Sequence, residues 1–314
     1  MSAARALGGS GLATPPLVLG GNVFGWTADK ATSFRVLDAF TDAGGTMVDT
    51  ADVYSAWVPG HKGGESETLI GEWLRNSGKK VQVATKVGML PGEGGEKLAP
   101  SRMAAACEAS LKRLGIETID LYFAHQDDES VPQQDVLAAF ARLIDAGKVR
   151  AIGASNFSVG RLQSALEVAG REGLPRYGVL QPEYNLVSRD SFEGVLQDLC
   201  VAENIGVVPY YGLASGFLTG KYRSRDDLGQ SVRGGRMGGL LEGTGAAVLR
   251  AMDTVAEETR ASLAQIALAW LAAQPGVTAP IASATSVAQL NELIGAWHVV
   301  LTPDQLDRLT AAGA

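Results

Sequence analysis

Cysteine is scarce in this 314-residue chain, with only Cys107 and Cys200, and neither has a histidine close by in sequence. That argues against a metal site or a thiol nucleophile, and both read as small buried residues of helical segments. Charge is sparse as well, at 19% of residues, and its balance is acidic, with a formal net charge of −7 and a pI near 5.1. A nucleic-acid or anionic-membrane footprint is therefore not expected. Long hydrophobic runs are missing. The most apolar helix-like stretch, Leu263 to Ala273, is interrupted by Gln265 and is too short to span a bilayer. The opening Met1-Ser-Ala-Ala-Arg-Ala-Leu-Gly-Gly has no apolar core of signal-peptide length, so a cytoplasmic location is expected. No glycine-rich dinucleotide fingerprint follows the first apolar run, since Gly20-Gly21 lacks the rest of that pattern. No low-complexity linker divides the chain.

What is present is alternation. With 46% hydrophobic residues the chain can bury a large core. Apolar runs at Leu17–Leu19, Met47–Val48, Val81–Val87, Ile119–Phe123, Val149–Ala154, Val179–Leu180, Ile205–Val208 and Val277–Ile281 give eight candidate strands. Between them lie helical stripes. Val136, Leu137, Phe140, Leu143 and Ile144 form one, entered by a capping box at Ser130-Val-Pro-Gln133 and stopped by Gly147. Val159, Leu162, Leu166 and Ala169 form a second, stopped by Gly170. A third runs through Leu263, Ile266, Trp270 and Leu271 to Pro275-Gly276. Eight such alternations predict a closed parallel (β/α)8 TIM barrel, with residues 1–314 as one domain. Arg5 to Leu12 is expected to form a small hairpin plugging the far end, and a C-terminal helix capped by Thr302 to close the chain. The Gly- and Arg-rich stretch inside residues 211–245 is expected to be a long functional loop after the seventh strand.

In such a barrel the reactive groups gather at the carboxyl ends of strands. Asp49 and Tyr54 follow the second run, Lys86 ends the third, and His125 follows the fourth. Free tyrosine, with a pKa near 10, is a poor acid at neutral pH, and a neighbouring ammonium favours its phenolate. A buried lysine needs a counter-ion, which Asp49 can supply, and a neutral imidazole can orient a carbonyl oxygen. Each residue alone has a plain structural alternative: a paired charge, a core histidine, a turn cap. Their coincidence at three successive strand ends favours an acid–base site, with no metal.

Seven segments carry a resemblance: Asp49-Thr-Ala-Asp-Val-Tyr54, Gly64-Glu-Ser-Glu-Thr-Leu-Ile-Gly71, Ala84-Thr-Lys86, Asp120-Leu-Tyr-Phe-Ala-His125, Gly153-Ala-Ser-Asn-Phe157, Gln181-Pro-Glu-Tyr-Asn185 and Gly216-Phe-Leu-Thr-Gly-Lys-Tyr222. In order and spacing the chain resembles the aldo-keto reductases over nearly its whole length. The resemblance implies an NAD(P)H-dependent oxidoreductase reducing aldehydes or ketones, with Tyr54 as proton donor, Lys86 and Asp49 as its tuning pair, and His125 orienting the carbonyl. It places the nicotinamide carboxamide on Ser155, Asn156 and Gln181, stacks Tyr210 on the ring, and borders the site with Gly21, Asn22 and Val23. Tyr211, Gly212, Leu213, Ala214 and Gly216 would face the pyrophosphate, with Lys221 pairing and Arg233 clamping phosphate. Ser283, Thr285, Gln289 and Glu292 would lie at the adenosine end. Ser283 and Gln289 stand where better-known members carry Lys and Arg. The Thr285…Gln289…Glu292 spacing is similar to the branch that includes potassium-channel β subunits and bacterial relatives. NADPH is the expected cofactor, with NADH open. Phe24, Trp26 and Trp57 would wall an apolar carbonyl pocket, and a monomer is expected. Two rival readings stand beside this one: a slow-turnover nucleotide-binding redox sensor or regulatory subunit, and a lyase using Lys86 as a Schiff base.

Overall fold

The computed structural model describes residues 3–231 and 234–313. Two short antiparallel strands, β1 (Arg5–Ala6) and β2 (Ala13–Thr14), precede the barrel. The barrel strands are β3 (Val18–Gly20), β4 (Met47–Asp49), β5 (Gln82–Val87), β6 (Ile119–Ala124), β7 (Val149–Ser155), β8 (Val179–Gln181), β9 (Gly206–Val207) and β10 (Ile281–Ala282). All eight pair in parallel in the order β10-β3-β4-β5-β6-β7-β8-β9. The seam between β9 and β10 is held by a Val207–Val277 bridge and by the Ile281 N–H donating to the Pro209 carbonyl at 2.9 Å. The last apolar run was expected to be a strand from 277 to 281. Only Ile281–Ala282 joins the ladder, because Pro280 has no N–H to give.

Helices α1 (Lys30–Asp42), α2 (Glu65–Ser77), α3 (Pro100–Leu114), α4 (Gln133–Asp145), α5 (Val159–Glu172), α6 (Val195–Ala202), α7 (Thr244–Thr259), α8 (Leu263–Ala272), α9 (Val287–Gly295) and α10 (Pro303–Ala312) cover the strands. The capping box expected at Ser130 does not form. Pro132 is the N-cap of α4, and the Ser130 hydroxyl donates instead to Asp128 at 2.6 Å, a carboxylate nearer than the helix. Helix α5 runs past Gly170 and stops at Gly173, the residue that takes the left-handed conformation ending a helix. Helix α10 carries the full capping box between Thr302 and Gln305. Cys107 and Cys200 are buried in α3 and α6.

The hairpin closes the barrel floor. Leu7 and Leu12 pack with the inward side chains of Val18, Met47, Leu121, Phe123, Val179 and Ile281 in one buried cluster. Burying each leucine contributes about 1.5–3 kcal/mol. Gly8 and Gly206 meet where the hairpin crosses β9: a Cβ on Gly8 would lie 2.1 Å from the Gly206 nitrogen, so neither position has room for a side chain. No helix among the described residues is long and apolar enough to cross a membrane. The opposite end of the barrel, where the strands terminate, is open to build a site.

Candidate active site

Parallel register brings the reactive groups together. Asp49 ends β4 opposite Ala84 of β5, Lys86 lies opposite Phe123 of β6, and His125 follows β6 directly. All therefore stand at the carboxyl ends of adjacent strands. The Lys86 side chain is fully buried, and each of its three ammonium hydrogens has an acceptor. It donates to Asp49 Oδ1 at 2.6 Å, to the Thr50 carbonyl at 2.7 Å and to Tyr54 Oη at 3.2 Å. The other Asp49 oxygen accepts from Gln181 Nε2 at 2.9 Å, so the buried pair leaves no lone charge. The His125 ring lies 5.8 Å from the Tyr54 ring, edge-on at 71°, and its buried Nδ1 has no hydrogen-bond partner.

The electrostatics follow from burial. Burial drives the Tyr54 phenol upward from its ordinary value, the Lys86 ammonium pulls it down, and Asp49 pushes it up again, for a net rise. The loss of water around the phenolate thus outweighs the ammonium that the sequence sets beside it. Burial also pulls the Lys86 ammonium down, but Asp49 and Tyr54 outweigh that and hold it above the ordinary lysine value. At His125, burial and the Lys86 charge both act in one direction and hold the imidazole well below its usual range, hence neutral.

A second cluster adjoins the first. Ser155, ending β7 opposite Gln181, donates to the Gln181 carbonyl at 2.9 Å. Asn156, in a left-handed conformation, donates to the His125 carbonyl at 2.9 Å and to Ser155 Oγ at 3.2 Å, and accepts from Tyr210 Oη at 2.8 Å. Across the barrel, Ser283 donates to Asn22 Oδ1 at 2.6 Å, and Gly20 leaves the room for this: a Cβ there would lie 2.4 Å from Ser283 Oγ. Gly21 donates its N–H to the Asp49 carbonyl at 2.7 Å.

Beyond β9 the chain passes through left-handed conformations at Tyr211, Ala214, Ser215 and Gly216, three of them non-glycine. Such residues cost on the order of 1 kcal/mol or more each and gather at ligand sites. Gly212 packs against Leu268 and Leu271 of α8, and Leu213 packs against the core. The Lys221 ammonium lies over this turn, 3.3 Å from where a Gly216 Cβ would stand. Thr285 donates through both its N–H and its hydroxyl to Gln289 Oε1, at 2.9 Å each, at the start of α9. Glu292 sits exposed on α9, and no Lys or Arg occurs from 281 to 292. Arg233 lies outside the described residues.

The aromatic residues divide. Trp57 is 47% exposed and packs edge-on against both Tyr54 and Trp26, each at 5.6 Å between ring centres. Phe24 was expected beside them, but it is wholly buried in the cluster with Val36, Leu37 and Ile70, beneath the site and not in its wall. Val23 is buried in the same cluster. Sequence reading missed the polar residues that support the site. Ser66 of α2 accepts from Thr50 at 2.9 Å and donates to the Gly21 carbonyl at 2.8 Å. Glu67 accepts from Thr85 and from Arg113, both at 2.6 Å. Glu67 lies in a quoted motif, whereas nothing in the sequence singles out Arg113.

An ion pair, a phenol and a neutral imidazole thus meet at the carboxyl ends of an eight-stranded parallel barrel, a candidate acid–base site on a (β/α)8 scaffold. Comparison with known proteins makes this specific. A family model described as the aldo/keto reductase family matches residues 16–314. A probable voltage-gated potassium channel subunit beta of Oryza sativa subsp. japonica is 33% identical over 98% of this chain and 95% of its own length. The L-glyceraldehyde 3-phosphate reductase of Escherichia coli (strain K12) is 30% identical, covering 94% of this chain and 87% of its own. Aldo-keto reductase str7 of Strobilurus tenacellus is 31% identical, covering 87% and 78%. The chain belongs to the aldo/keto reductase family. Membership makes it an oxidoreductase of small carbonyl compounds working with a nicotinamide nucleotide, NAD(P)H.

Proposed function

We propose that this chain is an NADPH-dependent carbonyl reductase in which Tyr54 delivers the proton. The observation that carries the reading is the buried Lys86 ammonium, shared between Asp49 and the Tyr54 hydroxyl. A phenol kept protonated by burial is in the form a proton donor needs, and the ammonium is placed to receive the charge left on it. Asp49 holds Lys86 in its charged state, and Gln181 holds Asp49. Neutral His125 keeps a hydrogen free to donate to the carbonyl oxygen, which aligns it with Tyr54. When bound, the reduced nicotinamide supplies the hydride that adds to the carbonyl carbon, while the phenol proton goes to the oxygen, leaving an alcohol.

The residues fit such a nucleotide. The polar ends of β7 and β8 at Ser155, Asn156 and Gln181 are suited to an amide, and Tyr210 is fixed by Asn156 where its ring can stack. The left-handed turn at 211–216 with Lys221 above it suits a diphosphate. Thr285, Gln289 and the capped N-terminus of α9 suit the adenosine end, with Ser283 tied to Asn22 beside it. Trp26 and Trp57 would bound an apolar substrate.

A second reading rests on the channel-subunit name of one relative: a nucleotide-holding regulatory subunit that turns over slowly. Titrating tryptophan fluorescence with NADPH and NADH, followed by steady-state turnover with an aromatic aldehyde, tests both. Tighter NADPH binding with turnover of about 1 s⁻¹ or faster supports the reductase. Tight binding with turnover limited by nucleotide release supports the regulatory reading, and no binding of either nucleotide refutes both.

A further inference from the structure

The loop between β5 and α3, residues 88–99, begins two residues after Lys86 and carries Met89, which is 39% exposed. A loop in that position would ordinarily be loose, yet buried charges hold it on both sides. Arg102 of α3, with a side chain only 7% exposed, donates from Nε to the Leu90 carbonyl at 3.0 Å. It also donates from Nη1 to the Glu93 carbonyl at 3.3 Å and from Nη2 to Asp52 Oδ2 at 3.4 Å. Gly92 lies flat against the guanidinium: a Cβ there would stand 2.8 Å from Nη1. Leu90 packs against Gly63 and so touches the same β4–α2 loop that holds Asp52 and Tyr54. At the far shoulder, Leu98 donates its N–H to Asp128, three residues after His125, at 3.3 Å. The loop is thus tied to the segments bearing both Tyr54 and His125.

We infer that Arg102, balanced by the buried Asp52, is a positioning residue that fastens this loop at the mouth of the site and so sets how tightly a carbonyl substrate is held. A planar fork is needed because the Leu90, Glu93 and Asp52 acceptors are each reached by a different guanidinium nitrogen, a spread that the single nitrogen of a lysine does not span. Asp52 is wholly buried and its Oδ1 has no partner. Burial and the Glu67 carboxylate of α2 push its carboxyl up to about 7, against the pull of Arg102 and Arg113 of α3 and the Val53 N–H. The Tyr122 phenol of β6, itself without a hydrogen-bond partner, also faces it. The raised value means that Asp52 is charged, and the clamp at full strength, above neutrality. As pH falls through about 7 the carboxyl takes a proton and the clamp loosens.

This inference rests on the carbonyl-reductase reading for its kinetic arm only. The test uses Arg102→Met, Arg102→Lys and Asp52→Asn in the full chain, with an aromatic aldehyde as probe. Loss of a buried charged hydrogen bond corresponds to about tenfold or more. Arg102→Met should speed amide hydrogen exchange across residues 89–97 and raise KM about tenfold, while kcat stays within about threefold and nucleotide affinity is unchanged. Arg102→Lys should recover little of this. In the wild type KM should rise as pH is lowered from 8 to 6, and Asp52→Asn should abolish that step. Unchanged exchange at 89–97 in Arg102→Met, full rescue by Arg102→Lys, or a loss in kcat in place of KM would overturn the assignment. A wild type with no reductase activity would refute the proposed function, and the exchange measurement would still decide the clamp.

Discussion

Replacing Lys86 with methionine removes the cation on which the proposed acid chemistry depends while preserving most of the side-chain volume. Its ammonium stands 3.2 Å from Tyr54 Oη, and at an effective dielectric of about 20 that separation corresponds to about 5 kcal/mol. Solvent reaches part of the Tyr54 side chain and screens the interaction, so this is an upper bound. If half of it reaches the transition state, kcat at neutral pH falls on the order of 100-fold. The same change leaves Asp49 buried with Gln181 as its remaining side-chain partner, a loss of about 3–5 kcal/mol in folding stability. Stability and chemistry can be separated. Asp49→Asn combined with Lys86→Met leaves no unpaired buried charge, so its urea midpoint should return most of the way to wild type while kcat stays low. Single-turnover reduction of an aromatic aldehyde across pH 5–10, beside urea unfolding of each variant, measures both. A Lys86→Met protein with an unchanged pH–rate profile, or a double variant that regains kcat, would refute the reasoning.

Other expectations concern the frame and the nucleotide. A Cβ on Gly71 would lie 2.2 Å from the Arg113 carbonyl, so Gly71→Ala should force α2 from α3 and lower stability by about 1–3 kcal/mol in urea titration; a change under about 0.5 kcal/mol would contradict that contact. Gly20→Ala should displace Ser283 from Asn22 and weaken nucleotide binding about tenfold by fluorescence titration, with little loss of stability; unchanged affinity would count against that edge of the site. Glu258 accepts from Arg308 and Gln305 of α10, and those hydrogen bonds hold its carboxyl down at about 2. A depressed carboxylate stabilises above its ordinary range and loses that contribution as pH falls through its folded value. Glu258→Gln should therefore lower Tm at pH 7, and the two proteins should converge near pH 2.

Periodicity carried the fold because strands and helices here obey simple rules. Every barrel strand falls on an apolar run, and the left-handed glycines at 115, 147 and 173 lie just after helices. Where the reading slipped, a local competitor was responsible. Pro280 broke the last ladder, and Asp128 captured the Ser130 hydroxyl that would have capped α4. The candidate groups were legible as a cluster because Asp49, Lys86 and His125 lie at or beside strand ends that parallel register brings together, with Tyr54 on the loop that follows Asp49. Their support was not. Arg102 and Arg113 sit among ordinary helical positions of α3, and only the three-dimensional packing turns them toward Asp52 and Glu67. The net rise of the Tyr54 phenol was equally hidden, since a sequence gives the sign of a neighbouring charge but not the depth of burial that outweighs it.

The central claim is that one phenol, tuned by a buried ion pair, protonates the carbonyl beside a bound nicotinamide. The most direct measurement is a single turnover of Tyr54→Phe preloaded with NADPH and mixed with an aromatic aldehyde, followed by nucleotide absorbance. Nucleotide affinity should match wild type while the rate of NADPH consumption falls by about 100-fold or more. A variant that binds NADPH and consumes it at the wild-type rate would contradict the account.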